Sequence, residues 1–470
     1  MTEAPVWRVR PPLNAPREGI YLGPGGRSNS DAIWLGTLAE SVTGGREHRV
    51  WLSTSKEQVI AVVGKRGSGK SFTLGVIAEG LASSVEESVL GRQSRRRAVL
   101  LFDPLDIYWT TRFPVSPSQN PEAERHYRLA SSARVTGLSF NVEAWVPGMN
   151  SRRESDPGWF RTLTLTVGQL GLEEWELLLE VNALTDPMGQ ALVDAISVVR
   201  TTGYIKDGVA VPPTEELGLL DIVASLDSPQ LQGYHRETLR ALRQRLRSIE
   251  ATGLFAARGT DIAELLVPGQ LSVVLLERLT QSYRGAIVGL LTRRLIDERA
   301  RTAFAEKRLA LDPTLSEDER EVLRTAVVSG TPQTVVALDE AQAFLAPGVA
   351  GPARDLFVRL VKEGRNIGLS AILATQQPSA LDQRVLSQVE TFISHQLVTE
   401  SDIRAVRENL KSPLADTYTL GSDNHEGSGL FRQLPPGQCV VSAADSSATP
   451  RRSILVTVRS RATVHGGIEL

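Results

Sequence analysis

At 470 residues the chain exceeds one average domain, so two or three structural units are expected. Its formal net charge of −2 excludes a protein that attracts nucleic acid through a global basic field, so such binding needs a local basic surface. The single cysteine, Cys439, excludes an internal disulfide framework, and no apolar run reaches membrane-spanning length, which together predict a cytoplasmic protein.

The first 55 residues predict an amino-terminal arm and a short β segment. Residues 1–18 contain four prolines and no apolar period, which is typical of a flexible or a clamped extended arm. Strand-like runs follow at 19–22, 32–35 and 49–52, with a Gly-Gly turn at 44–45. These runs can pair as a small β-layer, which would be very short for an independent domain.

Residues 59–71 predict a buried strand, a glycine loop and the start of a helix over about 71–81. The residues Gly64, Gly69, Lys70 and Ser71 fit the phosphate-binding pattern G-x-x-x-x-G-K-[ST]. Glycines let backbone N–H groups curve around phosphate oxygens, Lys70 adds a positive charge, and the Ser71 hydroxyl can ligate Mg²⁺. A glycine turn without a ligand is the alternative, which the preceding strand disfavours. The predicted nucleotide-binding residues are Gly64, Lys65, Arg66, Gly67, Ser68, Gly69, Lys70, Ser71 and Phe72.

The apolar run 98–102 predicts a second buried strand, which ends in Asp103-Pro104. Ligands of open α/β sheets bind beyond the carboxyl ends of strands, so Asp103 is a candidate for the metal and nucleotide side. A turn-capping role before the proline fits the spacing equally well.

The middle of the chain predicts a helical insertion. A strand is expected at 135–141 and another at 162–167, and apolar residues recur at helical spacing from about 171 to 260. An arginine-rich helix face around 236–247 indicates a solvated surface, a subunit contact or a nucleic-acid surface.

Further buried strands alternate with helices in the last part of the chain, at 271–276, 334–338, 369–375, 392–397, 438–442 and 454–458. This alternation predicts an α/β fold whose mostly parallel sheet is covered on both faces, and the phosphate loop makes it a P-loop NTPase core. The expected units are the arm and β segment at 1–55, the first part of the core at 56–150, the helical insertion at 151–265, and the second part of the core with the tail at 266–470.

Two carboxylates, Asp339 and Glu340, follow the strand 334–338. At the end of a strand beside the phosphate loop, Asp339 can hold Mg²⁺ with Ser71, and Glu340 can act as the general base for the attacking water. A solvated helix N-cap is the alternative interpretation. Gln376, after the strand 369–375, is a candidate to contact the γ-phosphate, and Arg365 is a candidate for the positive charge of the transition state or for a surface salt bridge.

These motifs together resemble HerA-type ATPases of the HerA/FtsK superfamily, from about residue 57 to the end of the chain. The matching stretches are Val62-Val-Gly-Lys-Arg-Gly-Ser-Gly-Lys-Ser71, Phe102-Asp-Pro104, Leu338-Asp-Glu-Ala341, Glu363-Gly-Arg365, Ile372-Leu-Ala-Thr-Gln-Gln-Pro-Ser379, Leu386-Ser-Gln-Val-Glu-Thr-Phe-Ile393, Leu434-Pro-Pro-Gly437 and Arg461-Ala-Thr-Val-His-Gly-Gly467.

The resemblance implies a RecA-like core and a cytoplasmic hexameric ring that uses ATP and Mg²⁺ to translocate double-stranded DNA, often beside a nuclease or another DNA-acting partner. The leading hypothesis is therefore a motor that works with a nuclease or other effector in DNA processing or anti-phage defence. By position the resemblance makes Lys70, Glu340, Arg365 and Gln376 catalytic and places Ser71, Asp339 and Asp103 at the metal. Two features depart from the family pattern. Leu105-Asp-Ile-Tyr108 replaces its Gly-Glu-Tyr-like turn, and the first 55 residues are too short for its amino-terminal β-barrel.

Two other functions fit the same sequence. One is a motor that moves or remodels protein, as secretion and conjugation ATPases do, and the other is an ATPase scaffold that gates a partner effector. Stimulation of ATP hydrolysis by duplex DNA distinguishes the translocase from both.

Overall fold

The structure is a computed structural model and describes residues 5–27, 30–41, 48–83, 87–349, 351–421 and 423–467. The glycine turn expected at 44–45 lies outside these residues. The strands are β1 (Arg8–Arg10), β2 (Ile20–Leu22), β3 (Ala32–Leu38), β4 (Arg49–Ser53), β5 (Val59–Val63), β6 (Glu87–Ser88), β7 (Gly91–Arg92), β8 (Ala98–Asp103), β9 (Val142–Pro147), β10 (Arg161–Leu163), β11 (Tyr204–Lys206), β12 (Val209–Val211), β13 (Leu271–Leu275), β14 (Thr334–Leu338), β15 (Leu369–Thr375), β16 (Thr391–Ser394), β17 (Thr417–Leu420), β18 (Asp423–His425), β19 (Gln438–Ala443) and β20 (Ile454–Val458).

The α-helices alternate with these strands through the core and cluster between β10 and β13. They are α1 (Lys70–Leu81), α2 (Pro121–Ser132), α3 (Leu172–Leu179), α4 (Pro187–Ser197), α5 (Leu219–Ser225), α6 (Arg236–Glu250), α7 (Ile262–Leu265), α8 (Gln281–Leu311), α9 (Glu317–Val328), α10 (Gln342–Leu345), α11 (Ala353–Ile367), α12 (Gln383–Leu386), α13 (Glu400–Asn409) and α14 (Ser428–Gln433). None of the helices in the described ranges is long and apolar enough to cross a bilayer.

One large sheet organises the chain and confirms the mostly parallel α/β prediction. Its strands lie in the order β10-β9-β13-β8-β14-β15-β5-β16, and every neighbouring pair in this part is parallel. The sheet continues through β19, β20, β3 and β4 with antiparallel pairs, and β2 then joins β4 in parallel. Because the carboxyl ends of parallel strands share one edge, the loops after β8, β14, β15 and β5 meet there.

Both faces of the sheet are buried, as the continuous apolar strands predict. Along β5, Val59, Ala61 and Val63 point into one core with the apolar faces of α8 and α11. The intervening Ile60 and Val62 point into a second core with α1. This alternation fixes α1, and hence the phosphate loop before it, on one face of the central strand.

The amino-terminal strands extend the main sheet through β3 and β20 and do not form a separate β-layer. The preceding arm is clamped, since β1 pairs with β17 and the buried Trp7 donates from Nε1 to Oε1 of Gln438 over 2.8 Å. The unit boundaries assigned from the sequence stay predictions.

The insertion is helical with its own core, formed by α3 to α6, and also carries the β11–β12 hairpin. The strand expected at 135–141 is wrong, because the strand that pairs with β13 begins at Val142. Val135 is instead buried in a loop, with its amide donating to the carbonyl of Ala130, so its apolar character serves loop packing. The strand expected at 162–167 is shorter, at Arg161–Leu163.

Candidate nucleotide-binding site

Three loops converge at the carboxyl edge of the sheet. The register pairs Leu338 with Leu373 and Thr375 with Val63, so β14, β15 and β5 end side by side. The phosphate loop, the Asp339-Glu340 pair and Gln376 therefore follow neighbouring strands, as the sequence predicts. The strand register therefore brings together residues that are more than 260 positions apart in the chain.

Lys70 lies between the two carboxylates. Its Nζ atom is 2.6 Å from Oδ1 of Asp339 and 3.0 Å from Oε1 of Glu340, and all three residues are buried. Burial acts to lower the pKa of Lys70, but the charges and hydrogen bonds of Asp339 and Glu340 raise it above its usual value. The lysine is therefore charged and lies at the sheet edge where the phosphate loop and the two carboxylates meet.

Ser71 and Asp339 present oxygens to one point, since Oγ of Ser71 donates to Oδ2 of Asp339 over 3.2 Å. Hydroxyl and carboxylate oxygens are ligands that Mg²⁺ prefers, and this ion commonly takes few protein ligands beside substrate phosphates. Within the described residues no cluster of three or more His, Cys, Asp or Glu side chains forms a protein-only metal cage. The pair fits a magnesium ion shared with a nucleotide.

Tyr108 completes this pair and was missed by the sequence analysis. Its hydroxyl donates to Oδ2 of Asp339 over 2.7 Å, and burial, followed by the charge of Asp339, raises the pKa of Tyr108. The only signal was its place at the end of the 105–108 turn that departs from the family pattern. Tyr108 therefore contacts Oδ2 of Asp339, whereas Lys70 contacts Oδ1.

Glu340 is held in a defined orientation. Its Oε1 accepts from Nε2 of Gln376 over 2.7 Å, and its Oε2 accepts from Nε2 of Gln342 over 2.6 Å. Gln342 in turn accepts from Oγ1 of Thr375 over 2.6 Å. The backbone of Glu340 has a φ of 49°, in the left-handed region that non-glycine residues rarely occupy. The structure therefore brings Gln376 to the candidate base rather than leaving it at a separate position.

The phosphate loop requires its glycines sterically. A Cβ at Gly64 would lie 2.5 Å from Oγ of Ser68 and 2.7 Å from Cβ of His395, and Gly69 has a φ of 108°. Within the predicted cradle, the amide of Lys65 donates to the carbonyl of Gln396 over 2.8 Å, so this donor is engaged by the protein. The residues that follow β16 therefore contact the back of the phosphate loop.

His395, also missed from sequence, supports the loop from behind. It is fully buried, its Nδ1 lies 3.0 Å from the carbonyl of Gln438, and its Nε2 lies 2.8 Å from Oγ1 of Thr73. A carbonyl only accepts, so Nδ1 carries the proton and Nε2 accepts from Thr73. Burial lowers the pKa of His395 to about 4, and the charge of Lys70 acts in the same direction.

Asp103 caps the turn that follows β8. Its Oδ1 accepts from the amide of Leu105, and its Oδ2 accepts from the amides of Ile107 and Tyr108, over 3.1, 2.7 and 2.8 Å. Burial raises the pKa of Asp103 to about 8, against the effect of these amides. Its contacts favour the turn-capping alternative, and its assignment to the metal stays a prediction.

Arg365 does not join the site within one chain, where it makes the surface salt bridge that was the alternative interpretation, and its catalytic role stays a prediction. It lies at the end of α11, largely exposed, with Nη1 3.6 Å from Oε1 of Glu390. Glu390 bonds to the backbone of Val59 at the start of β5, whereas the phosphate loop follows the end of that strand. The arginine therefore lies at the opposite edge of the sheet.

Phe72 lies in the first turn of α1, partly exposed, and contacts the rings of His126 and His465. These neighbours come from α2 and from the carboxyl-terminal segment, and neither was singled out in the sequence as a site residue.

The family model and the curated relatives that this chain matches all point to the same family, the helicase HerA. Residues 41–295 match the model of the central domain of the helicase HerA. The curated DNA double-strand break repair helicase HerA of Pyrococcus furiosus is 25% identical over 219 residues, covering 45% of this chain and 40% of that protein. Its counterpart from Saccharolobus solfataricus is 25% identical over 161 residues, covering 33% of this chain and 28% of that protein. The chain thus matches less than half the length of these relatives.

Among solved structures, VirB4 of Thermoanaerobacter pseudethanolicus superposes with a TM-score of 0.49 and 14% identity, covering 92% of this chain and 97% of that one.

Proposed function

Because this chain belongs to the family of the HerA helicase central domain and is a P-loop ATPase, we propose that it is a motor that hydrolyses ATP to translocate double-stranded DNA. The observation that carries the proposal is the convergence of Lys70, Asp339, Glu340 and Gln376 at one point of the sheet edge. A turn or a helix cap alone does not require a buried lysine between two carboxylates.

The side chains divide the hydrolytic work by their chemistry. Backbone amides of the phosphate loop and the charge of Lys70 hold the β- and γ-phosphates of ATP, and Ser71 and Asp339 would hold Mg²⁺, which supplies charge neutralisation there. Glu340 accepts the proton of the attacking water, so that water oxygen bonds to the γ-phosphorus as the bond to ADP breaks. Gln376, bonded to Glu340, orients this base and is placed to respond to the γ-phosphate.

The oligomer is part of the proposal. Arg365 lies at the sheet edge opposite its own phosphate loop, so a catalytic role for it requires the site of a second subunit. A closed ring of identical subunits, with a hexamer as the proposed size, repeats this contact at every site. The DNA substrate rests on the names of the HerA relatives, and a nuclease or other effector partner, an anti-phage role and a cytoplasmic location are proposed with it.

The proposal is tested by measuring ATP hydrolysis of the full chain with and without duplex DNA, together with the mass of the assembly. We expect an oligomer whose ATP turnover rises when duplex DNA is added and falls again at high salt, because phosphate contacts weaken as counterions compete. ATP turnover that does not respond to DNA but changes with a co-expressed partner protein would instead support the ATPase scaffold that gates a partner effector. A chain without turnover under all of these conditions would refute the motor.

A further inference from the structure

Beside the phosphate loop, three aromatic rings from three parts of the chain form a partly exposed cluster: Phe72, His126 and His465. The Phe72 ring meets His126 edge-on at 5.6 Å between centroids and His465 edge-on at 5.5 Å. The two imidazole rings lie 6.0 Å apart with an angle of 30° between their planes. None of these rings takes part in the hydrolytic geometry described above.

The carboxyl-terminal segment is fixed to the phosphate-loop helix by a buried ion-pair network. Glu79 of α1 lies 2.7 Å from Nη1 of Arg459 and 3.1 Å from Nε of Arg461, and it also accepts from the hydroxyl of Thr463 over 2.6 Å. Gly75, one turn before Glu79, leaves room for Arg461, because a Cβ there would lie 2.5 Å from its Nη1. His465 is therefore held rigidly over the same stripe of α1 that begins with Phe72.

The contacts of His465 define its proton. Nη1 of Arg461 lies 3.3 Å from Nδ1 of His465, and a guanidinium can only donate, so Nδ1 accepts and the neutral ring carries its proton on Nε2. Burial, together with the charge of Arg461, lowers the pKa of His465 to about 3, so the ring is neutral at physiological pH. Gly467 leaves space beside Nε2 of His465, because a Cβ at this position would lie 3.0 Å from that atom.

The position of the cluster relative to the phosphate loop indicates which part of a nucleotide it can contact. The γ end of a bound triphosphate lies toward Lys70, Asp339 and Glu340, so the nucleoside leaves the cradle from its other end. Phe72 is the next residue of α1 after Ser71, within reach of the group carried on the α-phosphate. Aromatic faces and an N–H donor are the chemistry that nucleobases engage by stacking and through ring nitrogens.

We propose that Phe72, His126 and His465 form the binding site for the adenine base of the nucleotide, with Nε2–H of His465 donating to a ring nitrogen of the base. This inference rests on the proposed ATP-binding function and adds the recognition of its base. It assigns His465 of the His-Gly-Gly tail a direct contact with the ligand.

The test compares ADP with inorganic pyrophosphate, which presents two phosphates without a nucleoside, by calorimetric dissociation constants for the full chain. His465→Ala and Phe72→Leu are expected to weaken ADP binding by about tenfold or more and to leave pyrophosphate binding unchanged. His235→Ala, an exposed histidine of the insertion, is the matched control and should change neither constant. Phe72→Leu retains an apolar side chain, so it keeps the test open if His465→Ala fails to fold.

Unchanged ADP affinity in both variants would overturn the base site, and so would an equal loss for ADP and pyrophosphate, which would show a structural role only. Failure of the wild type to bind either ligand would instead refute the nucleotide function itself. Lys70→Gln, which keeps a long polar side chain between the two carboxylates, distinguishes the two proposals, because it should weaken the binding of both ligands whether or not the base site is correct.

Discussion

The Nζ atom of Lys70 lies 2.6 Å from Oδ1 of Asp339, and this contact joins the phosphate loop to the end of β14. Asp339 has no solvent exposure and also accepts from Ser71 and Tyr108, so both of its oxygens are engaged. Removing either charge leaves the other buried without its partner, which is more costly than the loss of an exposed ion pair. Conservative replacements are therefore the informative ones at this site.

Glu340→Gln tests the general base. The amide keeps the shape of the side chain but cannot take a proton from water, so we expect turnover to fall by about two to four orders of magnitude. ATP binding and oligomer mass should be retained, because Lys70 still contacts Asp339. Steady-state ATPase assays and equilibrium nucleotide binding measure the two effects, with Glu321→Gln on the exposed face of α9 as the matched control. Undiminished turnover would remove Glu340 from the mechanism.

Two adjacent glutamines offer a second matched pair. Gln376 donates to Oε1 of Glu340 over 2.7 Å, whereas Gln377 is exposed. Gln376→Ala should lower kcat by about tenfold or more with little change in ATP affinity, since the base loses its orienting partner. Gln377→Ala should behave as the wild type in the same kinetic assay. Equal effects of the two substitutions would contradict a specific role for Gln376.

Asp103→Asn distinguishes a turn cap from a metal ligand. Asparagine presents one acceptor oxygen where Asp103 presents two, so it cannot accept from Leu105 and from both Ile107 and Tyr108, and we expect a loss of stability of about 1–3 kcal/mol in denaturant unfolding. The Mg²⁺ concentration for half-maximal ATPase activity should not change. A marked rise in that concentration, with stability preserved, would place Asp103 at the metal and reject the purely capping role.

The buried His395 predicts an acid-sensitive fold. Because burial lowers its pKa to about 4 in the folded chain, the unfolded chain binds the proton more readily between that value and its ordinary pKa of about 6.5. Its stabilising contribution is therefore complete above about pH 6.5 and is lost as the pH falls toward 4, by at most roughly 3 kcal/mol. The free energy of unfolding, measured at several pH values, should depend less steeply on pH in His395→Gln than in the wild type. In His235→Gln the dependence on pH should be that of the wild type. Identical slopes in all three proteins would refute the assignment.

Sequence patterns predicted the local parts of the site well and the long-range parts poorly. The loop 64–71 and the acidic strand end follow from short motifs and from the rule that parallel strands end at one edge. Tyr108 and His395 were not predicted because their partners, Asp339 and Thr73, are 231 and 322 residues away in the sequence. Only the register of the sheet brings these residues together. The strand expected at 135–141 is wrong because Val135 is buried in a loop and the strand itself begins only at Val142.

Arg365 gives the sharpest test of the proposed ring. Its guanidinium lies near the start of β5, and a strand of five residues separates that edge from the phosphate loop by roughly 13 Å. If the arginine acts at the site of a neighbouring subunit, Arg365→Ala should lower turnover with ATP affinity retained, which is also the result expected for Glu340→Gln. Mixed oligomers of the two variants should then regain activity, because some sites combine an intact Glu340 with the intact Arg365 of the adjacent subunit. Arg359→Ala, on the same helix and also exposed, is the control. Wild-type turnover in Arg365→Ala, or mixed oligomers of confirmed mass that remain inactive, would exclude action across the subunit boundary.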